Sequence, residues 1–375
     1  MAVGFLDEMR QVPDHRVAGM VTFPLDEILL ATLVAVVCGA DDWERVEDYA
    51  SESLDWLRRY LPFAAGIPTA QTFRKVFRVL DSDALERGFA AWAESLRERL
   101  GGQASAAARA HIAIDGKTVR GAKMSADGAG ALHLVSAYAS DAGLVLAQRA
   151  VDGKSNEITA IPAVLALLTL DGAIVSIDAI GTQKDIAACI QGKGGDYVLA
   201  LKANQPSLHE DVGLFFADSA LAVSCTTHAE TACGHGRIEE RSCRAASADW
   251  LAERHPDWKG LRSIAAVKAR RIDKKTGAES VETRLYISSL APDPALLLGC
   301  VRAHWSIENN LHWVLDVAFD EDRCRTRKDN SARALALMRR VALNLLKREP
   351  TPISIRRKRA KACMNPDFRA KILAA

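Results

Sequence analysis

Residues 111–121 read HIAIDGKTVRG, and residues 173–179 read AIVSIDA. Each contains a short apolar run that reaches an aspartate. In the first, alternation puts Ile112 and Ile114 on one face of a strand and Ala113, Asp115 and Lys117 on the other. A carboxylate late in an apolar strand is costly to bury without a cationic partner. Asp-Gly is also a common turn pair, so a plain strand-end turn is the alternative. Asp178 repeats the arrangement, with GTQKD close behind and a helix cap as its plain alternative. Two aspartates at the carboxyl ends of two strands carry more than either alone, because ligand sites of open sheets form there. Converging, they make a hard-oxygen site suited to magnesium.

Around these runs the pattern predicts strands at 111–115, 132–139 and 144–151, then at 173–179 and 196–201. Helices are predicted at 157–168, 184–191 and 207–218. Three strands in succession, followed by strands alternating with helices, indicate an α/β fold with a mixed sheet covered by helices. Residues 1–100 read as helical, with a buried helix at 25–37, an amphipathic one at 43–57, and two more at 72–80 and 83–100. Thr69 and Thr72 are candidate N-caps. The stretch 101–110, GGQASAAARA, reads as a linker. Beyond residue 218 the alternation breaks. Residues 225–290 read mostly as strands with one helix near 248–255, and we take this as an insertion. A helical pattern returns at 294, runs past Trp305, Leu311 and Val317, and is followed by a helix at 330–347 and a basic tail.

The chain has 375 residues, 49% hydrophobic and 26% charged, which excludes a disordered or low-complexity protein and suits two or three domains. No secretory signal pattern opens it. The longest uncharged apolar stretch, 28–40, falls short of the roughly 20 residues a membrane span needs. Eight cysteines without a CxxC fit free thiols in a reducing cytoplasm. Cys225, His228, Cys233 and His235 lie close together but match no common zinc spacing. Net charge is +2, yet residues 323–375 hold 16 Lys/Arg against 3 Asp/Glu, a net of +13 that leaves −11 for the rest. An acidic body with a basic tail points to a polyanionic partner.

A third acid is expected from the returning helix. In RAHWSIENNLHWVLD, His304, Glu308 and His312 stand at i, i+4 and i+8 and share one face, with Trp305 and Trp313 marking a flanking apolar stripe. Asp316, Asp320 and Glu321 compete with Glu308 for the role.

These motifs carry a resemblance. AIDGKTVRGA, KSNEI (154–158), SIDAIGTQ (176–183), LALKANQ (199–205), HGRIEER (235–241) and HWSIENNLHWVLDVAFDED (304–322) resemble, in order, the insertion-sequence DDE transposases of the ISAs type. These are also called H-repeat-associated proteins, within the IS-four-like group. DHRVAGMVTFPLDEILL, VCGA and GIPTAQTF resemble the family's associated N-terminal helical domain. The resemblance implies an RNase H-like core at 110–218 and 293–348, a β-rich insertion at 219–292, an N-terminal domain at 1–100 and a basic tail at 349–375.

By motif match, Asp115, Asp178 and Glu308 are the three acids, 63 and 130 residues apart. They would hold Mg2+ or Mn2+ and serve DNA cleavage and strand transfer at transposon ends, with Asp115 favoured to bridge paired ions. One departure stands out: related transposases carry an arginine four residues before the glutamate and a lysine seven after, where this chain has His304 and Leu315. Lys117, Lys202, Asn204, Arg237 and His312 are candidates for phosphate contacts, and the tail residues Arg356, Arg357, Lys358 and Arg359 for non-specific contact with DNA. The resemblance also implies synapsis by a homodimer, with no membrane partner and a cytoplasmic, nucleoid-associated setting. An RNase H-like nuclease without strand transfer, or a non-catalytic DNA-binding remnant, are the alternatives.

Overall fold

The computed structural model describes residues 2–101, 109–123, 131–151, 156–234, 236–326 and 329–374. Most of the expected linker, Lys154 and Ser155 of the KSNEI motif, and His235 lie outside them.

Six helices come first: α1 (Ala2–Met9), α2 (Leu25–Val37), α3 (Trp43–Glu52), α4 (Leu54–Leu57), α5 (Ala70–Val79) and α6 (Ser82–Gly101). Helix α2 is apolar all round and is buried from Glu27 to Val37, as such a helix must be. Helix α5 is amphipathic; Thr69 caps it, accepting from the Thr72 N–H, and Phe73 and Phe77 pack on Trp43.

Then follow β1 (His111–Lys123), β2 (Ala131–Ala139), β3 (Leu144–Ala150), α7 (Glu157–Ala166), β4 (Ile174–Ile177), α8 (Lys184–Gly192), β5 (Asp196–Leu201), α9 (Pro206–Ala217) and α10 (Ser219–Ala222). The next segment holds β6 (Thr226–Gly234), β7 (Arg237–Ser247), β8 (Ser263–Asp273) and β9 (Glu279–Ser288). The chain closes with α11 (Pro294–His304), a π-helical turn at Glu308–His312, α12 (Trp313–Phe319), α13 (Ser331–Arg348), α14 (Ile355–Met364) and α15 (Pro366–Ala374).

The described strands form one sheet in the order β3-β2-β1-β4-β5-β9-β8-β7-β6. β1, β4 and β5 run parallel, and the other pairings are antiparallel. The strands of the 219–292 segment extend the central sheet: β9 pairs with β5, Val198 opposite Ser288. One expectation changes here. The helix expected near 248–255 is a short 3₁₀ turn, Asp249–Leu251.

Strand β1 is also far longer than the expected 111–115. The Asp-Gly pair is no turn, because Gly116 sits in the ladder opposite Val135. Glycine is needed there for packing: a Cβ would strike the Glu157 carboxylate and the His133 ring. Gly121 answers the same constraint, lying against the Asp322 and Cys324 carbonyls.

Helix α13 joins the halves. It is buried from Ser331 to Leu346 except at Arg333, packed against β3 on one side and α2, α5 and α6 on the other. Its Asn344 amide accepts from the Val145 N–H (2.9 Å) and donates to the Val145 carbonyl (2.8 Å), occupying backbone groups of the edge strand. Buried Glu86 of α6 takes Arg149 of β3 (2.9 Å) and Arg333 of α13, stitching the helical region to the sheet. Buried Glu321 pairs with Arg340 at 2.8 Å.

The tail is only partly the basic arm the sequence suggested. Lys358 is 5% exposed and donates to the Leu346 and Glu349 carbonyls at the end of α13. Arg359, 6% exposed, lies over the Phe319 ring and donates to Val36 and Ala318 carbonyls, fastening the ends of α2 and α12. Helix C-termini leave such carbonyls unpaired, and a guanidinium satisfies several at once. Arg356 and Arg357 remain exposed. In guanidinium chloride unfolding, Arg359→Gln should therefore lose about 2–3 kcal/mol of stability. Arg356→Gln and Arg357→Gln should each stay within about 0.5 kcal/mol of the parent.

Candidate active site

The parallel register of β1 and β4 sets Ile114 beside Ile177. The next residue on each chain is an aspartate, so Asp115 and Asp178 emerge side by side. Glu308 approaches on the π-helical turn that follows α11. All three line one cavity of about 180 Å³, together with Ser176, Lys202, Arg284, Tyr286, His304 and Trp305.

Each acid is held differently. Asp178 Oδ1 accepts from the Ile180 and Gly181 N–H groups at 3.1 and 3.5 Å. Asp115 Oδ2 lies 3.2 Å from His312 Nε2. One oxygen each of Asp115 and Glu308 and one His312 ring nitrogen lie within 4.8 Å of one another. Burial pushes the Asp115 carboxyl up, but His312, His304 and the Gly116 N–H outweigh it, and the net shift is downward. Asp178 is raised, by burial first and then by the charges of Asp115 and Glu157. Glu308 is raised too, by burial and by Asp115 against the pull of His312. Among the described residues, no Lys or Arg forms an ion pair with any of the three.

The rival acids are engaged elsewhere. Asp316 takes the Lys117 ammonium at 2.7 Å, Glu321 is buried with Arg340, and Asp320 adopts a left-handed conformation (φ 48°) at the end of α12.

Several candidates for phosphate contact face other partners. Lys117 is 8% exposed and is taken up by Asp316 and Asp322, so its charge does not reach the surface. Asn204 donates to the Ala179 carbonyl at 2.6 Å. With Thr182 donating to Ala200 (2.6 Å) and Gln205 donating to Thr182 (3.0 Å), it ties the loop after β5 to the loop that carries Asp178. His312 is buried at Asp115 rather than presented to solvent. Lys202 is exposed and lines the acid cavity. Arg237 is exposed at the start of β7 and lines a second cavity of about 630 Å³ with Arg241, Arg271, Arg284, Arg302 and Trp305. Arg284 and Trp305 border both cavities, so the arginine-lined groove opens directly beside the acids.

Trp305 and Trp313 are 41% and 61% exposed, not an apolar stripe turned inward; the Arg284 guanidinium lies 4.6 Å over the Trp305 ring. His304 donates to or accepts from Ser176 Oγ at 2.9 Å, where related transposases carry arginine. Leu315 is fully buried.

Sequence reading passed over Glu157. It opens α7, is held by His133 Nε2 at 2.7 Å, and faces Asp178 closely enough to repel it. Its signal was its place in the KSNEI motif. The Cys225, His228, Cys233 and His235 cluster shows no site among the described residues. His228 and Cys233 lie five positions apart on β6, which puts them on opposite faces.

Known proteins resemble this chain over most of its length. Residues 106–345 match the family described as Transposase DDE domain, and residues 6–93 match its associated region, DDE_Tnp_1-associated. The chain is 38% identical over 375 residues to YncI of Escherichia coli O157:H7, named as a transposase, covering 99% of this chain and 94% of the relative. It is 36% identical over 374 residues to YhhI of Escherichia coli K12, named as an H repeat-associated transposase, covering 98% and 97%. A piggyBac transposase synaptic complex with hairpin DNA aligns at TM-score 0.41 and 10% identity, covering 100% of this chain and 76% of that one; at that distance it decides nothing further. The matched core and these near full-length relatives establish that this chain belongs to the DDE transposase family, among its H repeat-associated members.

Proposed function

We propose that this protein cuts and rejoins DNA phosphodiesters at the ends of an insertion sequence, with Asp115, Asp178 and Glu308 as the acids of its reaction centre. The observation that supports this most is the meeting of three carboxylates, from three separate elements, in one cavity beside an arginine-lined groove. Gathering them without a Lys or Arg partner among the described residues leaves negative charge that divalent cations would balance. The donor set is mostly hard oxygen, which suits Mg2+ or Mn2+. When bound, such ions supply Lewis acidity that stabilises charge on the entering and leaving oxygens.

The rest is done by this chain's residues. Arg237, Arg271 and Arg302 hold the DNA backbone along the groove. Lys202 and Arg284, on the wall of the acid cavity, draw the scissile phosphate towards the carboxylates. Water attacks phosphorus and the bond to the 3′ oxygen breaks, leaving a 5′-phosphate and a free 3′-hydroxyl; that hydroxyl then attacks a phosphorus of target DNA, whose own bond to its 3′ oxygen breaks and leaves a free 3′-hydroxyl on the target strand. Exposed Arg356 and Arg357 add sequence-independent contact. Two copies acting on paired ends complete the reading. No helix among the described residues is long and apolar enough to cross a membrane.

Incubating the protein with pre-cleaved ends and a target plasmid tests the reaction: joined products are expected, and cleavage without joining would reduce the proposal to a nuclease. Asp115→Asn, Asp178→Asn and Glu308→Gln should each lower cleavage by more than roughly 10³-fold while gel-shift binding of end DNA persists. In thermal melts, Mn2+ at about 100 times its Kd should stabilise the parent by about 2.7 kcal/mol and Asp115→Asn far less. Arg237→Gln should weaken DNA binding uniformly across sequences and flatten the log K against log salt slope by about 1.

A further inference from the structure

The helix that delivers Glu308 is irregular where it matters. Between α11 and α12 the backbone takes one π-helical turn, Glu308–His312, with Glu308 at its start and His312 at its end. Such turns are rare and concentrate at functional sites. Both end residues project toward Asp115 on β1.

His312 is the unusual member. It is 5% exposed; Nδ1 has no hydrogen-bond partner, and Nε2 meets only the Asp115 carboxylate, in a close ionic contact that falls short of hydrogen-bond geometry. A buried polar group left in that condition costs about 1–3 kcal/mol, so a native protein keeps one only where something else satisfies it. Its nearest charged neighbour is the Asp115 carboxylate, at 3.2 Å from Nε2. Glu308 completes a triangle of donor atoms no more than 4.8 Å on a side. Donor atoms that share one ion at about 2.1 Å lie within about 4.2 Å of each other. That limit holds for donors opposite one another and adjacent ones lie about 3 Å apart, so closing this triangle on a cation takes a shift of about half an ångström to two ångströms at its longest edge, within the reach of side-chain rotation. Lys117, the nearby ammonium, is held by Asp316 and Asp322 and does not compete for the position.

We propose that His312 is a metal ligand, and that Asp115, Glu308 and His312 together hold one divalent ion through two carboxylate oxygens and one imidazole nitrogen. This deepens the reading above and rests on it. The nitrogen donor tilts the site away from Mg2+, which favours oxygen, and toward transition-metal ions. Asp178, facing the same cavity but outside the triangle, is left to serve a second position.

Pulsed electron paramagnetic resonance on the full-length protein loaded with one equivalent of Mn2+ tests this. The expected spectrum shows modulation from a directly bound imidazole 14N, converting to the 15N pattern when histidine is supplied as 15N-histidine. The modulation should vanish in His312→Gln and persist in His304→Gln, and Mn2+ affinity should fall about 10-fold or more in the former. Circular dichroism checks that His312→Gln is folded. Should that variant not fold, the isotope-labelled parent and His304→Gln still decide the question. Bound Mn2+ without nitrogen modulation in the parent, or modulation that survives His312→Gln, overturns the proposal. Mn2+ binding undiminished in Asp115→Asn would instead overturn the assignment of the reaction centre itself, so the two failures are distinguishable.

Discussion

Bringing Asp115, Asp178 and Glu308 around one small cavity is electrostatically uphill, and the surrounding structure is arranged so that it cannot relax. Like charges at close range in a partly desolvated setting repel strongly, and the raised positions of Asp178 and Glu308 record that repulsion together with burial. Moving apart would require breaking the β1–β4 ladder or unwinding the helix behind Glu308. The ladder is buried in the main core and α11 in a second apolar cluster against β7, β8 and β9, so the separation that charge alone would favour is closed off. A site that holds negative charge in place at rest is one that a cation can enter without reorganising it.

The same economy explains where the positive charge goes. Lys117 sits one residue pair from Asp115 along the strand, yet its ammonium is claimed by Asp316 and Asp322. Lys358 and Arg359 spend their donors on helix-end carbonyls, and Arg369 does so at the Ala362 and Cys363 carbonyls while lying over Trp56. These long side chains carry charge on apolar stems, which lets them act as fasteners inside a fold as readily as contacts on its surface. The groove arginines Arg237, Arg241, Arg271 and Arg284 lie on the insertion and Arg302 on α11, each paired with Glu230, Glu239 or Glu282 at the surface. Because β9 is hydrogen-bonded to β5, that face is rigidly continuous with the strands that carry the aspartates.

Much of the architecture was readable from local pattern. The span of α2 was legible because a run apolar on every side can only be interior, and β5 was legible because short apolar runs bounded by glycine and lysine read as strands. The insertion was legible as strands but not as an extension of the sheet, since β5–β9 pairing joins residues nearly ninety positions apart. The Asp-Gly pair looked like a turn because turn statistics are local; the close approach of Glu157 and His133, which makes Gly116 necessary, comes from α7 and β2. Asn204 illustrates the other limit. A polar side chain in a motif invites a ligand, and here it serves a neighbouring loop.

What the sequence by itself determined was the order of strands and helices and the family, because hydrophobic periodicity and ordered motifs are written into neighbouring residues. Only the tertiary structure decided which of the four acids Glu308, Asp316, Asp320 and Glu321 shares the cavity with Asp115 and Asp178, which cations point outward, and that His312 is buried against Asp115. Those outcomes depend on backbone register and on distances between residues far apart in the chain. A side chain's identity states what it can bond to, while its direction and its available partners are set by everything packed around it.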